Sequence, residues 1–246
     1  MSDKLLTTRE ASTFLRVSEA SVRRWADAGI LTGSRVGRRG ARRFREADLL
    51  QFMQPGNRRP TPGAAAARAV VIQGMAVALG SHLVSFYSSD AGRVRVPVPF
   101  LRDGILAGQA CLMFVTAPLR ELYLEALSAE QVNVDAAISA GLLTFMSTRQ
   151  ESVAGWIADC ERHVANAVRD HPGPVRFLGE TVTALQSLGS VQELLSLEQQ
   201  LAPVVRRLPV VMLCPYDVRT FDGLTIVEAL KLHFDTYSYQ LAYFLS

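Results

Sequence analysis

The sequence predicts two domains of different class: a small α winged helix-turn-helix at the N-terminus, then a three-layer α/β domain with a mainly parallel sheet. Three observations carry this. Within residues 1–54, two short amphipathic stretches joined by a turn precede an arginine-rich stretch set among glycines. Residues 55–66 then shift to Pro, Gly and Arg, the composition of a linker. From residue 67 to 246, short apolar runs alternate with helical stretches, the order of β-α-β units.

The N-terminal elements follow from local chemistry. Thr7 or Thr8 caps a first helix, and Glu10 in its first turn meets the positive end of the helix dipole. Ala11, Phe14 and Leu15 form its apolar face, and the chain turns at Arg16 and Val17. Ser18 caps a second helix running to about Ala28, where Gly29 ends it. Val22, Trp25 and Ala26 follow a helical period and face inward; Glu19, Ser21, Arg23 and Arg24 face outward. In a helix-turn-helix this second helix enters the major groove of double-stranded DNA. Gly33 to Arg43 carries Arg35, Arg38, Arg39, Arg42 and Arg43 and suits a two-stranded wing along phosphates, which the planar guanidinium binds in two places. Phe44 folds back on the core, and Glu46 to Phe52 reads as a third helix.

After the linker, Ala64 to Leu79 is rich in Ala and Val and reads as a short helix, the first of the larger domain. Strands are expected at Leu83 to Tyr87, Ala110 to Val115, Leu142 to Met146, Val175 to Gly179 and Val210 to Cys214. Helices are expected at Phe100 to Ala107, Leu119 to Leu127, Asp135 to Ala140, Ser152 to Arg169, Thr181 to Leu188, Val191 to Leu201 and Gly223 to His233. Ligands in such sheets bind outside the carboxyl ends of the strands. His82 and Tyr87 flank the first strand, Glu180 follows the fourth, and Cys214, Tyr216 and Asp217 end the fifth. Arg176, Glu198 and His233 are further polar residues in apolar company.

Charge separates the two parts. Residues 1–59 hold 13 Lys or Arg against 6 Asp or Glu, a balance of +7, and the remainder holds 13 against 17, a balance of −4. A basic head on a mildly acidic body places nucleic acid at one end only. The three cysteines are widely spaced, so no disulfide framework is expected and a reducing cytoplasm is the expected compartment. The most apolar run, Ala64 to Leu79, is too short and interrupted to span a bilayer, so no membrane partner is expected.

Residues 5–53 resemble the excisionase-like branch of the MerR family. The resemblance rests on Thr7-Thr8-Arg9-Glu10-Ala11, Val17-Ser18-Glu19-Ala20-Ser21-Val22-Arg23-Arg24-Trp25, Gly29-Ile30-Leu31 and Arg42-Arg43-Phe44-Arg45-Glu46-Ala47-Asp48-Leu49. It implies DNA contact by Ser18, Ser21, Arg23 and Arg24, with Arg42 and Arg43 on the backbone. Long MerR activators continue into a coiled-coil dimerisation helix. Here Pro55, Gly56, Pro60, Pro62 and Gly63 follow instead, so the expected homodimer must form elsewhere.

Gly80 to Tyr237 resembles the MEDS sensory domain of DcmR-like regulators. The matching pieces are His82-Leu83-Val84-Ser85-Phe86-Tyr87, Phe100-Leu101-Arg102-Asp103-Gly104-Ile105-Leu106-Ala107-Gly108-Gln109, Arg176-Phe177-Leu178-Gly179-Glu180 and Leu213-Cys214-Pro215-Tyr216-Asp217. That family looks like a degenerate relative of the RecA/KaiC fold without a Walker A loop. Phosphate cradling needs Gly-x-x-x-x-Gly-Lys-Ser/Thr. After the first strand stands Ser88-Ser89-Asp90-Ala91-Gly92-Arg93, and the chain has no Gly-Lys pair, so ATP hydrolysis is not expected.

Together these readings describe a one-component transcription regulator whose C-terminal domain binds a small organic effector through His82, Phe86, Tyr87, Arg176, Glu180, Cys214, Tyr216 and Asp217. The rival reading makes that domain a protein-docking or oligomerisation module with no small ligand. No enzyme activity is expected, because Glu180 and Glu198 lack a partner nucleophile. His82, Glu180 and Cys214 have the residue types of metal ligands but no close paired spacing, so neither metal nor cofactor is expected.

Overall fold

The computed structural model describes residues 5–15, 17–27, 31, 33–36, 41–53, 69–72, 74–150, 152–233 and 235–236. The chain divides into two compact units, Met1–Pro60 and Thr61–Ser246. The expected linker, residues 55–66, lies outside the described residues.

The first unit contains β1 (Leu5–Thr7), α1 (Thr8–Leu15), α2 (Glu19–Asp27), β2 (Ser34–Val36), β3 (Ala41–Arg45) and α3 (Glu46–Met53). Thr7 is the cap of α1: its hydroxyl accepts from the Glu10 amide at 3.2 Å while the Glu10 carboxylate accepts from the Thr7 amide at 2.8 Å. Ser18 caps α2 by accepting from the Ser21 amide at 3.1 Å. The wing is an antiparallel pair with Arg35 opposite Arg42. The short β1 pairs with the other edge of β3, giving a three-stranded sheet that a run of only three residues does not announce in the sequence. Leu6, Ala11, Val22, Leu31, Phe44 and Leu49 form the core. Phe44 does fold inward, so closely that a Cβ on Gly33 would stand 2.7 Å from its ring.

The first described elements of the second unit are β4 (Ala69–Ile72) and β5 (Met75–Ala78), an antiparallel hairpin turning at Gly74 with φ +81°. The helix expected over residues 64–79 is therefore wrong for 69–78; residues 64–68 lie outside the described residues. Val70, Ile72 and Val77 are buried while Val71 is 52 % exposed, the alternation of a half-buried strand. β-branched residues and a glycine in the left-handed region outweigh the alanine content.

Then come β6 (His82–Tyr87), α4 (Asp90–Arg95), α5 (Pro97–Leu106), β7 (Cys111–Phe114), α6 (Ala117–Ala129), α7 (Val134–Ser139) and β8 (Leu143–Phe145). The chain continues through α8 (Val153–Asp170), β9 (Val175–Gly179), α9 (Thr181–Leu188), α10 (Val191–Val205), β10 (Val210–Asp217) and α11 (Gly223–Leu232). β6 to β10 build one parallel sheet in the order β6-β10-β9-β7-β8. Its five strands match the five expected; α4 was not expected.

Two apolar cores flank this sheet, which makes the domain three-layered. One joins Val84, Phe86, Leu112, Phe114, Phe177, Met212, Cys214 and Tyr216 to residues of α8, α9, α10 and α11. The other joins Leu83, Cys111, Met113, Leu178, Val211 and Leu213 to α5, α6, α7 and the hairpin. Neighbouring strand residues thus fall into opposite cores, as the two-residue side-chain period demands.

Candidate functional site

In the first unit the polar residues of α2 and the wing share a local network. Ser18 and Ser21 hydroxyls lie 3.0 Å apart, and exposed Arg23 pairs with Glu19 at 2.8 Å. The Arg42 guanidinium donates to the Arg23 carbonyl at 3.3 Å, tying wing to helix, and Arg43 donates to the Arg42 carbonyl at 2.9 Å. Arg35 is exposed on β2. Arg24 lies on α2 with its side chain outside the described residues, and Arg38 and Arg39 fall outside them altogether.

The larger unit separates the expected ligand residues into two clusters. At the carboxyl ends of β6, β9 and β10 stand Tyr87, Glu180 and Asp217, joined by Arg93 from α4 and Tyr123 from α6. Arg93 reaches Glu180 at 3.3 Å and Asp217 at 3.5 Å, and its guanidinium lies 4.7 Å from the centre of the Tyr87 ring. Tyr123 donates its phenol proton to the same Glu180 oxygen. Arg219 holds Asp217 from the outside at 2.7 Å. The second Glu180 oxygen and the Tyr87 hydroxyl are buried with no hydrogen-bond partner.

The electrostatics follow from burial. Glu180 is fully buried, and burial raises its pKa against the opposing pull of Arg93 and Tyr123. Burial, reinforced by Glu180, also raises the Tyr87 and Tyr123 phenols. Asp217 goes the other way, because hydrogen bonding from Arg219 stabilises its carboxylate.

On the opposite core, His82 at the start of β6 meets Cys214 of β10, Glu198 of α10 and His233 after α11. His82 Nε2 lies 3.1 Å from Glu198 Oε2 and 3.3 Å from Cys214 Sγ. His233 Nε2 lies 3.2 Å from the same Glu198 oxygen. Tyr216 donates to the other Glu198 oxygen at 3.2 Å, and Phe86 packs against the Tyr216 ring. Burial, then the nearby His233, lowers the His82 pKa. Burial works to raise Glu198, but His233 and His82 outweigh it and hold the carboxylate ionised. A cavity of about 10 Å³, room for about one water, abuts Glu198 and Cys214 beside Trp156 and Met212.

Arg176 joins neither cluster. Its guanidinium donates to Gln109 Oε1 at 2.8 Å, to the Phe100 carbonyl at 2.9 Å and to the Val71 carbonyl at 2.9 Å. It pins α5 and the hairpin to β9. Cys111 and Cys160 are buried free thiols whose burial pushes them up to about 12.

Sequence reasoning missed Arg93 and Tyr123. Arg93 carried a faint signal, a cation in the stretch after the first strand; Tyr123 sits on an ordinary apolar helix face with none. Glu198 and His233 were visible as polar residues in apolar company, but nothing local linked them to His82 or Cys214.

A family profile described as the MEthanogen/methylotroph, DcmR Sensory domain (MEDS) matches residues 81–234, and one described as a helix-turn-helix domain matches residues 5–56. The chain is 34% identical to the transcriptional repressor DcmR of Methylorubrum extorquens (strain DSM 6343 / CIP 106787 / DM4), over 97% of this chain and 93% of that protein. Among solved structures it is similar to a KaiC-like protein from Pyrococcus horikoshii OT3, with a TM-score of 0.47 and 11% identity over 64% of this chain and 68% of that one. Among the described residues no helix is long and apolar enough to cross a membrane.

Proposed function

This chain belongs to the MEDS family of DcmR-type sensory domains, and from that premise we propose a one-component DNA-binding transcription regulator whose C-terminal domain senses a small organic ligand. The observation that carries the reading is the 34% identity to a transcriptional repressor across 97% of the chain, head and body together. The head is MerR-like: α2 enters the major groove of double-stranded DNA with Ser18, Ser21, Arg23 and Arg24, while Arg35, Arg38, Arg39, Arg42 and Arg43 of the wing lie along phosphates. A homodimer presents two such heads, because one small module buries little DNA surface and paired half-sites multiply affinity. The body is a sensor and not an enzyme. Its effector contacts the carboxyl ends of the strands, where Tyr87 and Glu180 each hold a buried polar atom without a partner.

The test is binding of full-length protein to DNA from upstream of its own coding region, with and without small organic compounds. A compound that shifts DNA affinity in the wild type but not in Glu180→Gln supports the reading. DNA affinity indifferent to every compound, but changed by a protein partner, would instead make the body a docking module.

A further inference from the structure

We propose that His82 Nε2, His233 Nε2, Glu198 Oε2 and Cys214 Sγ form a buried site for one divalent d-block cation of the Zn²⁺ class, held in a closed tetrahedron. It takes His82 and Cys214 out of the effector contacts expected from the sequence and leaves the DNA-binding reading and the Tyr87–Glu180 cluster untouched.

The distances fit. Three of the six donor separations are 3.1, 3.2 and 3.3 Å, the Cys214–Glu198 separation is 4.0 Å, and all four atoms lie within 4.8 Å of one another. Ligands at about 2.0–2.3 Å around a tetrahedral ion stand about 3.3–3.6 Å apart, so this cluster needs only small adjustments to close on an ion. Two imidazoles, a carboxylate and a thiol make a borderline donor set, suited to Zn²⁺ and its neighbours and unsuited to Mg²⁺ or Ca²⁺.

The hydrogen bonds around the same atoms suit a metal site. His233 Nδ1 lies 2.8 Å from the Ala229 carbonyl, which only accepts, so Nδ1 carries a proton. In the neutral ring, Nε2 then presents a lone pair towards the Glu198 carboxylate. Nε2 is buried and makes no hydrogen bond despite standing 3.2 Å from that oxygen. A carboxylate facing that nitrogen needs a cation there, either a proton on Nε2 or a metal ion, and the metal ion also takes in His82 and Cys214. The Nδ1–carbonyl bond is also the outer support that metal-bound histidines use, and the Tyr216 hydroxyl supports the carboxylate in the same way at 3.2 Å. His82 lacks such support, since its Nδ1 is buried without a partner.

Charge balance points the same way. As a free thiol, Cys214 carries one proton on Sγ. A divalent cation displaces that proton to solvent, forms the metal–sulfur bond, and leaves two positive charges against one thiolate and one carboxylate. The buried centre is then neutral. With four protein ligands from β6, β10, α10 and the end of α11, it leaves no open position and ties α11 to the sheet.

The experiment uses full-length protein. Metal content is measured after purification without chelators; the protein is then stripped and titrated with Co²⁺. One equivalent per chain is expected, with the intense visible bands of tetrahedral Co²⁺ and a near-ultraviolet thiolate-to-cobalt charge-transfer band. Cys214→Ser should abolish the charge-transfer band, and His233→Ala should weaken binding by about 100-fold. Cys111→Ser and Cys160→Ser should change neither. A folded wild type that gives no tetrahedral spectrum overturns the proposal, whatever the variants do. So does a charge-transfer band that survives in Cys214→Ser.

Discussion

His82 and Tyr87 stand at the two ends of one six-residue strand and serve opposite faces of the sheet: His82 meets Glu198 and Cys214, Tyr87 meets Arg93 beneath Glu180 and Asp217. An odd separation along a strand forces this, because side chains alternate with a period of two. Cys214 and Asp217, three apart on β10, divide the same way. One motif therefore supplies two separate buried polar clusters.

The Tyr87 hydroxyl is a buried donor with nothing to bond, which costs stability in the ligand-free protein. Tyr87→Phe should leave stability unchanged or raise it by about 1 kcal/mol while weakening any effector response. Chemical denaturation and DNA binding with effector check the two halves. A loss of stability comparable to a core truncation would show that the hydroxyl has a partner in solution.

Glu180 sets a pH dependence. Burial holds its carboxyl protonated to higher pH in the folded chain than in the unfolded chain, where the ordinary value of about 4.3 applies. Above that value the folded state binds more protons, so the Glu180 contribution falls as pH rises through the folded pKa. The stability difference between wild type and Glu180→Gln should therefore decline with rising pH from about 4.3 and then level off. A difference that stays constant, or grows with pH, contradicts this.

Arg176 is 1% exposed and directs its donors to Gln109, Phe100 and Val71. Arg176→Met leaves two carbonyls and an amide oxygen without their donor and should cost about 3 kcal/mol. The effector response of the folded fraction should be unaffected. A changed ligand specificity with stability intact would return Arg176 to the binding site.

Gly104 lies inside α5, where alanine is ordinarily favoured by about 1 kcal/mol. A Cβ there would stand 2.5 Å from Arg176 Cδ and 2.7 Å from Cys111 Sγ. Gly104→Ala should thus destabilise by about 1–3 kcal/mol, reversing the propensity. Thermal unfolding of Gly104→Ala alone and combined with Cys111→Ala should show partial rescue in the double variant.

In the head, Arg42→Ala with Arg43→Ala should weaken binding to all sequences and reduce the salt slope by about 1 for each phosphate no longer neutralised. Arg23→Ala with Arg24→Ala should remove discrimination between specific and random DNA. Titrations at several salt concentrations separate these outcomes; equal salt slopes for wild type and the wing variant would remove Arg42 and Arg43 from the phosphate backbone.

By itself the sequence determined what depends on neighbours along the chain. Ser18 capping α2, Phe44 closing the head's core and the five apolar strands of the sheet are set by caps, glycines and periodicity within a few residues. The family resemblance was equally legible, because its motifs are contiguous. The tertiary structure alone decided what depends on strand order. β10 lies beside β6, which brings Cys214 to His82 across 132 positions, and α10 and α11 cover that face with Glu198 and His233. Nothing local encodes that adjacency, so four ligand-type residues from four elements showed no pairing, and the partners of Arg176 on α5 and the hairpin were equally hidden. The hairpin at residues 69–78 was lost for a related reason: an Ala- and Val-rich run suits either helix or strand until a pairing partner is supplied.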